Sequence, residues 1–142
     1  MTTTSLQSRI VRYAAHIPCR DAFIDTRTPG SDRKENFTNI GPGDTENPKQ
    51  QIHIAEPHGF NIGGARQPPG STNSQHSHAT EEVFFVHTGT WAFRLGEHSD
   101  MAEIVLKPGD LISIPTQLFR GFENVGEDEG YLWAILGGDD PG

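Results

Sequence analysis

A chain of 142 residues with 33% hydrophobic and 8% aromatic side chains makes one small domain with a modest core. Its net charge of -8 speaks against a nucleic-acid partner, whose phosphates need a basic face, and the single Cys19 excludes an intrachain disulfide and a zinc ribbon. No run reaches the roughly 18 apolar residues of a membrane span and the start carries no secretory-type apolar run, so a soluble protein off the membrane, in the cytoplasm, is expected.

Residues 1–50 carry a net charge of +1 and read as an irregular arm. Their apolar side chains (Leu6, Ile10, Val11, Tyr13, Ile17, Phe23, Ile24) follow neither helical nor strand periodicity. From Asp25 to Gln51 only Phe37 and Ile40 are large and apolar, amid Thr-Pro-Gly-Ser-Asp and Gly-Pro-Gly-Asp turn signals. Such a segment cannot bury its own surface, so it is expected to pack along the main domain or a partner subunit.

Residues 51–142 carry a net charge of -9 and change character. Short apolar runs predict strands at Gln51–Glu56, Gly59–Arg66, Ser74–His78, Glu82–His87, Thr90–Leu95, Glu103–Leu106, Leu111–Ile114, Leu118–Glu123 and Tyr131–Leu136. Turn chemistry separates them, as at Pro68-Pro69-Gly70, Thr88-Gly89 and Lys107-Pro108-Gly109-Asp110. No helix of four turns fits. The expected fold is all-β, an antiparallel sandwich or closed barrel.

The densest group of potential ligands is Gln75-His76-Ser77-His78-Ala79-Thr80-Glu81-Glu82. On a strand, residues two apart share a face, so His76 and His78 can converge. A turn at Ala79–Glu81 would return Glu82 beside them on the neighbouring strand. Two imidazoles and a carboxylate form a set that holds a first-row metal and leaves positions open. A His-X-His pair alone reads more simply as a surface hairpin. The carboxylate and a frame of glycines reverse that weighting.

Gly70, five residues, His76, one residue, His78, three residues, Glu82, six residues, Gly89 resembles the first motif of the cupin superfamily at every fixed residue and spacing. Gly109, five residues, Pro115, with Asn124 further on, resembles part of the second motif. Two positions depart from that pattern: Gln117 stands where glycine is usual, and Arg120 where the last metal-binding histidine is usual. The resemblance covers residues 51–142. It implies a jelly-roll β-barrel, often dimeric, with metal ligands His76, His78 and Glu82. It also implies a divalent transition metal, Fe(II) foremost with Mn, Zn or Ni as alternatives.

Arg120 has no lone pair and cannot be a ligand. It can anchor an anion beside a three-ligand metal, pair with Glu82 in a metal-free barrel, or leave the fourth place to another residue such as Gln117 or His58. The expected function is a metal-dependent enzyme acting on a small anionic organic molecule, an Fe(II)-dependent dioxygenase with Arg120 as a catalytic residue, working as a homodimer. A Zn- or Mn-dependent isomerase or lyase, or a non-catalytic ligand-binding or scaffold cupin, are the alternatives. His87 should face away from the ligands, His98 should be solvated, and Trp91 and Phe93 should be core.

Overall fold

The computed structural model describes residues 6–19, 33–41 and 52–139. Phe23, Ile24, Gln51 and most of the turn signals between residues 25 and 50 lie outside the described residues. Among the described residues, ten strands follow a 3-10 turn at Tyr13–Ala15: β1 Glu35–Ile40, β2 Ile52–Ile54, β3 Phe60–Gln67, β4 Thr72–His76, β5 Glu82–Thr88, β6 Trp91–Leu95, β7 Ala102–Leu106, β8 Leu111–Ile114, β9 Arg120–Asn124 and β10 Gly130–Gly137. Among the described residues, no helix is long and apolar enough to cross a membrane.

Two sheets face each other. One runs β2-β1-β3-β10-β5-β8 and the other β4-β9-β6-β7, with every pairing antiparallel except β1 with β2. This is the jelly-roll arrangement expected. Strand alternation builds the core: Phe84 and Val86 of β5, Phe93 of β6, Phe122 of β9 and Leu132 of β10 point between the sheets and are buried. The intervening Phe85 and His87 point outward, and Phe85 stacks on Trp133 of β10. Both Trp91 and Phe93 are core residues, and His87 is exposed on the far face, as the alternation predicts.

Arg66 and Arg94 also face outward onto acids. Arg66 Nε is 3.1 Å from Glu35 Oε1, and Arg94 Nη1 is 2.8 Å from Glu123 Oε1. At Asn124 the side chain is wholly buried and bonds backbone only, donating to Gln67 O and Asp128 O while accepting from Gly126 N–H. It fixes the last hairpin.

Strands are expected only from Gln51 onward, yet β1 lies earlier and pairs with β3 within the larger sheet. Residues 13–19 close over the sheet's outer face. Cys19 and Asn36 exchange both backbone hydrogen bonds, at 2.7 and 3.1 Å. His53 joins two segments, donating from Nδ1 to Thr38 O (2.7 Å) and accepting the Ile17 N–H at Nε2 (2.9 Å). Tyr13 meets Tyr131 edge-on, and His16 stacks on Phe37 with ring centres 3.8 Å apart.

Burial, then the neighbouring His53 and Arg66, pushes the His16 imidazole down from 6.5 to about 4. The neighbouring Asn39 and Glu35 oppose that shift, and the Tyr13 and Tyr131 rings complete its surroundings. Within that interval the unfolded chain binds a proton that the folded chain refuses, so stability is full above about 6.5 and falls toward about 4. Thermal unfolding followed at pH values above and inside this window should show the decline. His16→Phe, which keeps the stacking and removes the titrating group, should flatten it.

Candidate metal centre

His76 is the last residue of β4, and its Cα partner across the sheet is Arg120, the first residue of β9. Its Nδ1 lies 2.9 Å from Ser74 O. A carbonyl oxygen can only accept, so Nδ1 carries the proton and Nε2 keeps its lone pair for a ligand. β4 ends at this residue, so His78 belongs to the connection rather than to the strand expected over Ser74–His78. Its position is set instead by the Gln117 N–H, which donates to His78 O at 2.8 Å. The two imidazoles meet edge to face, 5.0 Å between centres.

Glu82 opens β5 and is 2% exposed. It does not sit on a strand neighbouring β4. The Ala79–Glu81 link crosses from the four-stranded sheet to the six-stranded one, where Glu82 has Leu136 and Ile114 as Cα partners. His76 and Glu82 therefore face each other across the barrel. His78 Nε2 is 3.9 Å from Glu82 Oε1. Arg120, wholly buried, brings Nε to 3.6 Å from the same oxygen.

The ligand atoms of His76, His78 and Glu82 all lie within 4.8 Å of one another. Donors bonded to one ion at about 2.1 Å stand about 3 Å apart at octahedral and about 3.4 Å apart at tetrahedral angles, so the widest pair must close by about 1.4 to 1.8 Å when an ion binds. Its donors, two imidazole nitrogens and a carboxylate oxygen, suit Fe, Mn, Zn or Ni. The residues fit a divalent transition metal. Of the other candidates for a fourth ligand, Gln117 is exposed, and His58 is turned to Glu56 O at 2.6 Å on the β2–β3 connection.

Gln117 adopts φ +66°, the left-handed region that glycine enters without strain. This explains why glycine is usual there, and the strained turn is what delivers the Gln117 N–H to His78.

A cavity of about 60 Å³ opens between the sheets. Its walls are Asn36 and Thr38 of β1, His76, Glu82, and apolar residues such as Phe84 and Phe122. That is room for about four or five water-sized groups, which suits a small organic molecule. His78 and Arg120 are not among its walls. Sequence reasoning missed the β1 contribution, and with it Lys34, which is 1% exposed just ahead of that strand. The signal available was parity: Lys34, Asn36 and Thr38 alternate toward the interior.

Residues 65–135 match the family model of the cupin domain. The chain belongs to the cupin family. Comparison with curated proteins finds no match for this cupin. Among solved structures, an RmlC-like cupin from Shewanella frigidimarina NCIMB 400 is similar, with 14% identity and a TM-score of 0.60 over 94% of this chain and 90% of that one. The DMSP lyases RdDddP and RnDddQII give 19% identity and a TM-score of 0.59, covering 74% of this chain and 47% of theirs. Oxalate oxidase in complex with the substrate analogue glycolate gives 26% identity and a TM-score of 0.55, covering 59% of this chain and 44% of that one. The cupin thus spans less than half the length of the lyase and oxidase chains it resembles.

Proposed function

We propose that this cupin is a metal-dependent enzyme acting on a small anionic organic molecule, with Fe(II)-dependent dioxygenation as its reaction. One observation carries the reading: a half-buried His76 grouped with buried His78 and Glu82, with His76 and Glu82 lining a small, largely apolar cavity. Two histidines and a carboxylate leave positions open for substrate and dioxygen, and bound Fe(II) would supply the redox chemistry that couples them. The chain's own residues do the rest. His76, with Nδ1–H held by Ser74 O, presents Nε2 in one tautomer. Glu82 shares its carboxylate between the ligand set and Arg120. Arg120 contributes a fixed positive charge one side chain away from the cavity, which favours an anion there. Phe84, Phe122 and Leu132 line the walls and keep water out.

The similarity to an oxalate oxidase in complex with the substrate analogue glycolate supports a small anion, and the similarity to DMSP lyases supports lyase chemistry within the alternative of a Zn- or Mn-dependent isomerase or lyase. The homodimer belongs to the same proposal. Half-buried Val83, Phe85, Trp133 and Ile135 on the outer face of the larger sheet support it. The Arg120 contact with Glu82 favours a second reading, a metal-free cupin that binds a ligand or serves as a scaffold.

Elemental analysis of protein purified without added metal or chelator separates the two readings. Near-stoichiometric transition metal that disappears in His76→Ala is the expected result. No metal at any loading, with melting unchanged by Fe, Mn, Zn or Ni salts, would leave only the second reading.

A further inference from the structure

We propose that a bulge in β4, pinned by Gln75, is what turns His76 into the barrel, which makes Gln75 a positioning residue for that ligand; the ligand role of His76 rests on the metal reading above. The pairing of β4 with β9 sets Thr72 opposite Glu123 and Asn73 opposite Phe122, then resumes with His76 opposite Arg120. Ser74 and Gln75 therefore stand against Gly121 alone, two residues facing one, which is a β-bulge. Phe122 and Arg120 both point between the sheets and are buried. Their partners Asn73 and His76 share that inward face although they are three residues apart. Strict alternation forbids this. Without the extra residue Gln75 would take the place opposite Arg120, and His76 would turn to the outer face.

Gln75 holds the bulged register. It is half-buried on the outer face, where its side chain passes over Gly121 and reaches beyond β9. There Nε2 donates to Arg94 O of β6 at 3.0 Å and to Gly96 O, just past that strand, at 2.8 Å. Both amide hydrogens are used, so the side chain is committed to this one place. Glycine leaves the room for it: a Cβ at residue 121 would collide with Gln75 Oε1 and stand 2.8 Å from Asn73 O. In the regular register Gln75 would point inward and both bonds to β6 would be lost. The two bonds thus separate the registers, one residue ahead of the ligand. His78, held by the Gln117 N–H, and Glu82, on β5, take their places from other elements. The bulge acts on His76.

Gln75→Leu keeps the approximate volume, removes the donors and favours an inward, buried place. Gly121→Ala reaches the same end from the facing strand by displacing Gln75. Carbethoxylation of His76 by diethyl pyrocarbonate is followed in the metal-free proteins by mass spectrometry, against added N-acetylhistidine. Co(II) and Zn(II) affinities are read by competition with a chromogenic chelator, and melting is recorded alongside.

His76 should react faster in both variants, with Co(II) affinity lower by about 10- to 100-fold. The double variant should lose no more than the worse single, since both undo one contact. Deleting Ser74 from Gln75→Leu removes the extra residue, so alternation alone returns His76 to the inward face and affinity should recover. A merely structural Gln75 would lower melting and leave the reactivity of His76 unchanged. That result in both singles would overturn the proposal, as would a folded Ser74-deleted protein that binds no better than Gln75→Leu. If the wild type takes up neither metal, the metal reading falls, while the reactivity of His76 still decides whether the bulge aims it.

Discussion

Arg120→Met should lower the stability of the chelator-treated protein by about 3 kcal/mol, because it strips a wholly buried guanidinium from a carboxylate that stays buried. The expected loss is that large because Glu82, 2% exposed, cannot turn to water for compensation. A companion change identifies the cause. Glu82→Gln removes the charge that Arg120 balances, so the double variant Arg120→Met/Glu82→Gln should recover much of the loss. Denaturant unfolding of the four proteins closes the cycle. If the double variant loses the sum of the two single costs, the pair is not coupled and Arg120 is serving as packing.

Arg120→His should act on metal affinity in the opposite direction. The arginine stands at a ligand-facing place and repels any cation there. Its Nε is 3.6 Å from Glu82 Oε1, so an ion bonded to that oxygen at about 2.1 Å lies no more than about 6 Å from it. At an effective dielectric constant of about 20, a divalent ion and a guanidinium at that separation repel by about 6 kcal/mol. Recovering even half of it, before the gain of a fourth ligand, is about a hundredfold in affinity. The same change removes the charge that favours an anionic substrate. Tighter Zn(II) or Co(II) binding with impaired turnover is the expected pair of results. Undiminished turnover of an anionic substrate would show that Arg120 does not anchor it.

Most strands after residue 51 were legible as short runs rich in Val, Ile, Phe and Trp between turn signals, and in β5 the period of two then gives the faces, Glu82, Phe84 and Val86 inward against Val83, Phe85 and His87. β1 was not, for a physical reason. Its inward residues Asn36 and Thr38 are polar because they line the cavity, and its outward Phe37 is buried because His16 stacks on it. Both faces therefore invert the usual pattern. The same inversion hid Lys34 in what reads as a polar stretch.

The ligand trio was legible from spacing, but the path that joins it was not. The offsets between His76, His78 and Glu82 fit a hairpin equally well, and local periodicity carries no information about which sheet a strand joins. The departure at Gln117 was visible as a missing glycine, and its φ of +66° is the structural counterpart. Of the readings open for Arg120, the sequence could supply the inward direction, while the distance to Glu82 required the fold.

The ligands come from opposite sheets, His76 from the four-stranded one and Glu82 from the six-stranded one. An ion held by both is a reversible cross-link through the middle of the sandwich, so mass action links the fold to the supply of metal. At a thousand times its dissociation constant such an ion adds about 4 kcal/mol to folding, a large share of what a small domain possesses. Scarcity of metal would then be felt as slow separation of the two sheets, with amides of β4 and β5 exchanging their protons together.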